Sequence, residues 1–100
     1  MRTLTLPLKG VYFDQIKAGT KPREYRMATP FWVKRLQGRR YDRIVLTRGY
    51  PARDDAERRL VLPWAGYRME MLQHEHFGPE PVHVFSIDVS GAPLHQEKTS

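Results

Sequence analysis

The chain has 100 residues, 40% hydrophobic and 28% charged, which indicates one globular domain and excludes both a second core and an intrinsically disordered chain. The absence of cysteine excludes disulfides and a thiolate zinc site, and it fits a reducing cytoplasm. The 17 Lys and Arg against 11 Asp and Glu give a net charge of +6, which favours polyanionic partners, nucleic acid first among them.

The N-terminal part of the chain predicts one helix followed by one strand. In "LPLKGVYFDQIKAG", Leu8, Val11, Tyr12 and Ile16 have helical spacing, and Gly19 is suited to end the helix. The next segment, "KPREYRMA", is predicted to be extended. The start, "MRTLTLPLKG", lacks the apolar run of a signal peptide, and no stretch reaches the about 18 apolar residues of a membrane span, so we expect a cytoplasmic protein with no membrane partner.

A second helix is marked at both of its ends. Thr29 is predicted to be the N-cap, Pro30 fits the first helical position, and Gly38 follows the end. Between them lies an apolar stripe made of Trp32, Val33 and Leu36. The sequence therefore predicts a short helix with one face in the core.

The rest of the chain reads as strands and turns. "YDRIVLTRGY" and "VHVFSIDV" are predicted strands, and "LVLPW" and "YRMEMLQ" are two more, separated by a bend at Pro63 and Gly66. Several of these strands are apolar on both faces, which a flat one-sided sheet would leave exposed. We therefore predict an α+β domain over residues 1–90, a small mixed β-barrel, closed or half-open, of about five strands with two helices packed at its ends. Residues 91–100 are predicted to be a flexible tail.

The segment between the first helix and the first strand carries the pattern Gly19-x-Lys21-x-x-Glu24-x-Arg26. With the downstream segments "YDRIVLTRGYP", "LPWAGY" and "HFGPEPVHVFSIDV", this pattern resembles the ASCH domain family, and in particular its short phage and bacterial branch. The resemblance covers roughly residues 4–90. It implies a barrel like that of the related PUA RNA-binding fold, with a cleft between barrel and helices where the motif residues gather.

The same resemblance implies a choice of functions. Roles proposed for the family include RNA binding. Some members are similar to small amidohydrolases that remove the acyl group from N4-acetylcytidine and related N4-acylcytosines, and ribonuclease activity is attributed to another. The active residues proposed for the bacterial amidohydrolase are a lysine, a threonine three residues later and a downstream glutamate. In this chain Lys21 holds the lysine position and Glu24 the threonine position, and no residue is assigned to the downstream glutamate.

Lys21 and Glu24 are the predicted catalytic pair, and Thr20 is the nearest substitute for the family's threonine. Lys21 acts either as a base or nucleophile, if it is partly desolvated beside Arg23 or Arg26, or as a cation that stabilises an oxyanion. Glu24 either accepts a proton from water or binds the amino edge of cytosine. Because these two residues are three apart, a regular strand would point them to opposite faces, so the lysine has to reach round from an irregular strand entrance. The alternatives are a solvated lysine and an ion pair of Glu24 with one of the arginines.

Further residues are predicted to bind the substrate. Arg26 shares a strand face with Glu24, and its planar fork suits a carboxylate, a phosphate or a base edge. Tyr25 points the other way and is assigned to the core. The other candidates are Arg23 and the residues of strand ends that would rim the barrel mouth, namely Thr47, Arg48, Tyr50 and Trp64. Turn formation at Gly49 and, for Trp64, closure of the core are the alternatives.

Two further clusters have both a functional and a purely structural interpretation. His74 and His76 of "HEHF" would face one side of an extended segment, but no third ligand is near, so no metal site and no cofactor are predicted. The run "KRLQGRRYDR" is either a footprint for a phosphate backbone or a solvated face that compensates the helix dipole. Its cations are Lys34, Arg35, Arg39, Arg40 and Arg43.

Three functions follow from these observations. The leading one is a metal-independent amidohydrolase whose small-molecule substrate is an N4-acylated cytosine nucleoside. The alternatives are a non-catalytic RNA-binding module and a ribonuclease in which Lys21 stabilises the phosphate. The basic run favours RNA as a partner, whereas the short chain with one compact motif favours a small substrate.

Overall fold

The computed structural model of the chain describes residues 1–75 and 78–94. In these residues there are six strands, two α-helices and one short 3₁₀ helix at Ala56–Arg58. In chain order the elements are β1 (Thr3–Leu8), α1 (Gly10–Lys17), β2 (Arg23–Met27), α2 (Pro30–Leu36), β3 (Arg43–Arg48), β4 (Arg59–Pro63), β5 (Tyr67–Leu72) and β6 (Val82–Asp88). The predicted α+β class and the two helices are confirmed.

The strands of the described residues form two sheets, each of three strands. In the first sheet β3 lies between β1 and β4, parallel to β1 and antiparallel to β4. In the second, β6 lies between β2 and β5 and is antiparallel to both. The described strands form no closed barrel, and there are six of them where about five were predicted. The coarser prediction, a small mixed α+β domain, is confirmed.

The additional strand is β1, which the sequence analysis assigned partly to the helix. Its side chains alternate, and Leu4, Leu6 and Leu8 are all buried. β1 pairs only with β3 in the described sheets, so its other edge is open and tolerates Pro7, which has no N–H to donate. This edge position leaves the Pro7 carbonyl free to accept a hydrogen bond from elsewhere in the fold.

One hydrophobic core holds both sheets and both helices together. Its buried members are Leu4, Leu6 and Leu8 of β1, Phe13 and Ile16 of α1, Leu36 of α2, Ile44 and Leu46 of β3, Leu60 and Leu62 of β4, Phe85 and Ile87 of β6, and Val89. Burial of large apolar side chains contributes about 1.5–3 kcal/mol each, so this cluster dominates the stability of the fold. It also fixes α1 relative to β1.

The predicted helix ends are confirmed. α1 ends at Lys17, and Gly19 follows with a φ of 82°, a left-handed conformation that glycine adopts without a steric penalty. In α2 the Thr29 side chain accepts the backbone N–H of Trp32 at 3.4 Å, and Pro30 is the first helical residue. Gly38, with a φ of 71°, follows the end of α2.

The C-terminal part agrees with the predicted strand breaks. β4 ends at Pro63, and β5 begins at Tyr67 after Gly66, whose φ is 84°. Of the predicted tail, residues 91–94 are described, and the Leu94 N–H donates to the Val61 carbonyl at 2.8 Å. Residues 95–100 and His76 lie outside the described residues.

Candidate functional site

The turn between α1 and β2 carries the glycine and the lysine of the motif, and β2 itself carries the glutamate and the arginine. After Gly19 the chain turns sharply, and the backbone N–H groups of Thr20 and Lys21 both donate to the Gln15 carbonyl, at 2.9 and 3.3 Å. β2 starts only at Arg23, so Lys21 lies in the turn and is not bound by strand alternation. The turn therefore lets Lys21 meet Glu24, as the sequence analysis required.

A cavity of about 410 Å³ opens between this segment and the junction of β1 with α1. Such a volume is in the range of about 300–1,000 Å³ found for small-molecule sites. Its lining residues are Pro7, Leu8, Lys9, Tyr12, Lys21, Glu24, Tyr25, Arg26, Met27, Leu72 and His74. One wall is charged and the remainder is mostly apolar or aromatic, which is the composition typical of a ligand pocket.

A buried carboxylate lies at the centre of the charged wall. Only 4% of Glu24 is exposed. Its Oε1 lies 3.3 Å from the Lys21 ammonium, and its Oε2 accepts a hydrogen bond from Nη1 of Arg26. A carboxylate withdrawn from water is costly unless it is paired, and the two cations supply that pairing for Glu24.

Arg26 is held more firmly than a surface arginine. In addition to Glu24 it donates to the carbonyls of Tyr25 and Pro7, both at 3.0 Å, and its guanidinium lies 5.4 Å from the Trp32 ring centre. The bond to Pro7 connects the second sheet to the open edge of the first. Arg26 therefore fixes the position of the Glu24 carboxylate relative to β1.

Two tyrosine rings surround the lysine. The Lys21 ammonium lies 5.4 Å from the ring centre of Tyr12 and 5.0 Å from that of Tyr25, and it donates to the Arg23 carbonyl at 2.6 Å. Aromatic faces, a carboxylate and a carbonyl oxygen all attract a cation. Tyr25, which we had assigned to the core, is half-buried and lines the cavity instead.

Arg23 and Thr20 do not line this cavity. Arg23 binds the hydroxyl and the carbonyl of Ser86 on β6, and its Nε lies 3.9 Å from the Glu70 carboxylate. In the same polar cluster, hydrogen bonds from Arg68 and then from Ser86 lower the pKa of Glu70 below its ordinary value. Thr20 is exposed, and its hydroxyl donates to the Gln15 carbonyl at 3.1 Å.

The candidates from strand ends also lie outside this cavity. The Thr47 hydroxyl donates to the Gly49 carbonyl at 2.7 Å, which is the turn interaction weighed as its alternative. Arg48 pairs with Asp14 at 3.2 Å, and Tyr50 is 92% exposed. Trp64 packs against the core, in edge contact with Tyr41. The role of these residues at the rim of a barrel mouth stays a prediction.

Several lining residues were missed by the sequence analysis. Tyr12 was assigned only to the apolar face of a helix, and Pro7 and Leu8 belong to the strand that was not predicted. Leu72 and His74 reach the cavity from the end of β5, far away in the sequence. A signal for Tyr12 was present, because a tyrosine on a helix next to a charged motif has a polar tip that seldom remains in a dry core.

The histidine pair is described in part. His74 lines the cavity, whereas His76 lies outside the described residues. Within residues 1–75 and 78–94, no group of three His, Cys, Asp or Glu side chains is arranged to hold a metal ion. In the same residues neither helix has the length and apolar character that crossing a bilayer requires.

Comparisons of the chain with protein-family models, with curated proteins and with solved structures found no match. The site must therefore be interpreted from its own geometry. That geometry consists of a buried carboxylate fixed by an arginine, an ammonium 3.3 Å away, and a cavity beside both groups.

Proposed function

We propose that the protein hydrolyses the acyl amide of N4-acylated cytosine nucleosides, with Lys21 and Glu24 as the catalytic residues. The observation that carries the proposal is that the Lys21 ammonium and the buried Glu24 carboxylate meet at 3.3 Å on the wall of a cavity of about 410 Å³. A carboxylate for proton transfer and a cation for the developing oxyanion are two groups that can catalyse amide hydrolysis without a metal.

In the proposed first step, Glu24 takes a proton from a water molecule whose oxygen adds to the acyl carbon. The electron pair of the carbonyl bond moves to oxygen, and the Lys21 ammonium stabilises the oxyanion. Arg26 binds Oε2 of Glu24, which leaves Oε1 as the oxygen that receives the proton. The bond between carbon and N4 then breaks, and Glu24 returns the proton to N4, so that a carboxylic acid and the cytosine amine are released.

The contacts of Lys21 support a cationic role rather than a nucleophilic one. Its ammonium has a carboxylate, a backbone carbonyl and two tyrosine rings as neighbours, and each of them attracts positive charge. A nucleophilic lysine has to be neutral, which apolar burial or neighbouring cations favour. Of the roles open to Lys21, stabilisation of the oxyanion is therefore the one that we propose.

The proposal includes the relation to the PUA-like fold that the resemblance implies. The observation that supports it is the hydrogen bond from Arg26 of β2 to Pro7 of β1, 3.0 Å long, which joins the facing edges of the two sheets. We infer that the two sheets correspond to an opened barrel of that kind, with the cavity at the opening. An opened barrel would place the motif residues in the cleft expected for the family.

The proposal is tested by incubating the purified protein with N4-acetylcytidine, with and without a chelator, and measuring released cytidine by chromatography. We expect release that the chelator does not change. Lys21→Ala and Glu24→Gln should each lower kcat/KM by about 100- to 1,000-fold, the usual effect of losing an oxyanion donor or a general base. Lys17→Ala and Glu57→Gln make the same changes at exposed positions and should leave the rate unaltered.

Two results would contradict the proposal. One is the absence of cytidine release by the folded parent protein, and the other is equal release by Lys21→Ala. Circular dichroism of each variant separates lost catalysis from lost folding. RNA degradation that disappears in Lys21→Ala, without any release of cytidine, would instead favour the ribonuclease alternative.

A further inference from the structure

A second groove, of about 440 Å³, lies at the C-terminal end of α2. It shares no lining residue with the first cavity. Three cations and two aromatic rings line it, namely Phe31, Lys34, Arg35, Arg39 and Tyr41. Its composition differs from that of the first cavity because its lining includes no carboxylate.

The positive charge of this groove is unbalanced. Among residues 1–75 and 78–94, no carboxylate lies within ion-pair distance of Lys34, Arg35 or Arg39. In the first cavity, by contrast, Lys21 and Arg26 are both ion-paired with Glu24. Three like charges that converge without an acid repel one another, and an anionic ligand would relieve that repulsion.

Hydrogen bonds to the C-terminal carbonyls of α2 use only some of the polar groups in this groove. Nε of Arg39 donates to the Lys34 carbonyl at 3.2 Å, and the Tyr41 hydroxyl donates to the Arg35 carbonyl, so two carbonyls of the last turn are satisfied. The terminal guanidinium nitrogens of Arg39 and the Lys34 ammonium make no hydrogen bond within the described part of the chain. These donors remain available for phosphate oxygens.

The aromatic residues of the groove add a second kind of contact. Phe31 is 56% exposed, and the Arg35 guanidinium stacks 4.4 Å from its ring centre. Tyr41 is half-buried and is braced by Trp64 at 5.3 Å between ring centres. Aromatic rings and guanidinium planes beside a basic track are the elements that bind unpaired bases together with their phosphates.

We propose that the groove of Phe31, Lys34, Arg35, Arg39 and Tyr41 binds single-stranded nucleic acid. The three cations contact phosphates, and an unpaired base stacks on the Phe31 and Arg35 pair. This site is separate from the proposed hydrolase cavity, and neither proposal depends on the other.

The test measures the fluorescence anisotropy of a labelled oligouridylate with the full chain, in salt from about 50 to 300 mM. Each phosphate contact contributes about −0.7 to the slope of log K against log salt, so three cations predict a slope of about −2. Lys34→Gln and Arg39→Gln should each reduce the magnitude of that slope by about 0.7. Phe31→Ala should lower affinity about 5- to 100-fold and leave the slope unchanged, because it removes stacking without removing charge.

Arg53→Gln and Lys17→Gln remove the same charge from exposed positions elsewhere and should leave the slope unchanged. If they reduce it as much as Arg39→Gln, binding follows the overall net charge and the proposed site is overturned. Displacement of the oligonucleotide by inorganic polyphosphate of equal charge, together with unchanged binding by Phe31→Ala, would overturn the base contact. Tighter binding of a duplex than of the single strand would also contradict the proposal.

Discussion

At the scale of single residues, Glu24 is a buried carboxylate that depends on its partners. Its side chain is 5% exposed, whereas those of Lys21 and Arg26 are 18% and 19% exposed. The cations therefore retain some hydration and the carboxylate retains very little. Removing a cation should cost more than the value of a surface ion pair, because the charge left behind cannot be solvated.

Arg26→Met tests this dependence. We expect it to lower the free energy of unfolding in urea by about 2–4 kcal/mol, since Lys21 alone then compensates the carboxylate. The double variant Glu24→Gln/Arg26→Met should recover part of the loss, because the buried charge is gone. Arg58→Met breaks an exposed pair with Asp55, 3.5 Å long, and should cost about 1 kcal/mol or less. If Arg26→Met and Arg58→Met lower the free energy of unfolding equally, the Glu24 carboxylate does not depend on Arg26 for compensation of its charge.

The sequence allowed only the local half of this cavity to be predicted. Lys21, Glu24 and Arg26 lie within one short segment, so their spacing and the preceding helix end already place them together. Tyr12 and Leu72 reach the cavity through the packing of α1 and β5, which depends on contacts between residues distant in the sequence. Residues at strand ends, such as Tyr50, were predicted to bind substrate only because a barrel was assumed.

At the scale of elements, the two helices end in the same way and lead to different sites. Gly19 follows α1 with a φ of 82° and precedes Lys21, whereas Gly38 follows α2 with a φ of 71° and precedes Arg39. A Cβ at either glycine would meet no atom within 4 Å, so substitution introduces backbone strain without a steric clash. Substitutions at these two glycines therefore allow an effect on stability to be distinguished from an effect on function.

We expect Gly19→Ala and Gly38→Ala to cost a similar amount, about 1–2 kcal/mol in urea unfolding, because both force an L-residue into the left-handed region. Hydrolysis of N4-acetylcytidine should fall about tenfold or more only in Gly19→Ala, since that change displaces Lys21 from Glu24. Gly38→Ala is the matched control for this measurement. Equal effects of the two variants on turnover would mean that the turn at Gly19 has no special role in placing the lysine.

Helix ends were predicted well because their signals are local: Thr29, Pro30 and the two glycines each act within one turn. β1 was missed because "TLTLPL" is short, contains Pro7 and runs directly into the helix. The arrangement of strands in sheets was harder still. Alternation identifies which face of β1 is buried, but it does not specify which strand becomes the neighbour.

At the scale of the whole molecule, the excess of positive charge is unevenly distributed. The net charge of +6 includes cations that have acidic partners, such as Arg48 with Asp14, and the unpaired cations of the α2 groove. The second sheet carries a further cluster, in which hydrogen bonds from the hydroxyl and the backbone N–H of Ser90 lower the pKa of Asp88. Protonation of the carboxylates at low pH therefore removes the anionic partners of nearby cations. It also adds to the repulsion that already exists among the positive charges.

This charge distribution predicts how stability depends on pH. The pKa of Glu70 is held below its ordinary value of 4.5 by the hydrogen bond from Arg68, and that of Asp88 below its ordinary value of 3.8. A lowered pKa in the folded state stabilises the protein above the ordinary value, and this contribution is lost as the pH falls through the lowered one. The thermal midpoint should thus be flat near neutrality and decline below about pH 4.5.

Glu70→Gln isolates the local part of that decline. The variant should be less stable than the parent at pH 7, and the two midpoints should converge as the pH falls through the lowered pKa of Glu70, because the protonated carboxyl of the parent then loses the same interaction with Arg68. The thermal midpoint of Glu57→Gln, a change at an exposed position, should differ from that of the parent by the same amount at every pH. The decline that persists in Glu70→Gln reflects the lowered pKa of Asp88 and general repulsion among the 17 Lys and Arg, and added salt should reduce the second contribution. A constant difference between Glu70→Gln and the parent over this pH range would show that the ion pair with Arg68 does not contribute to acid sensitivity.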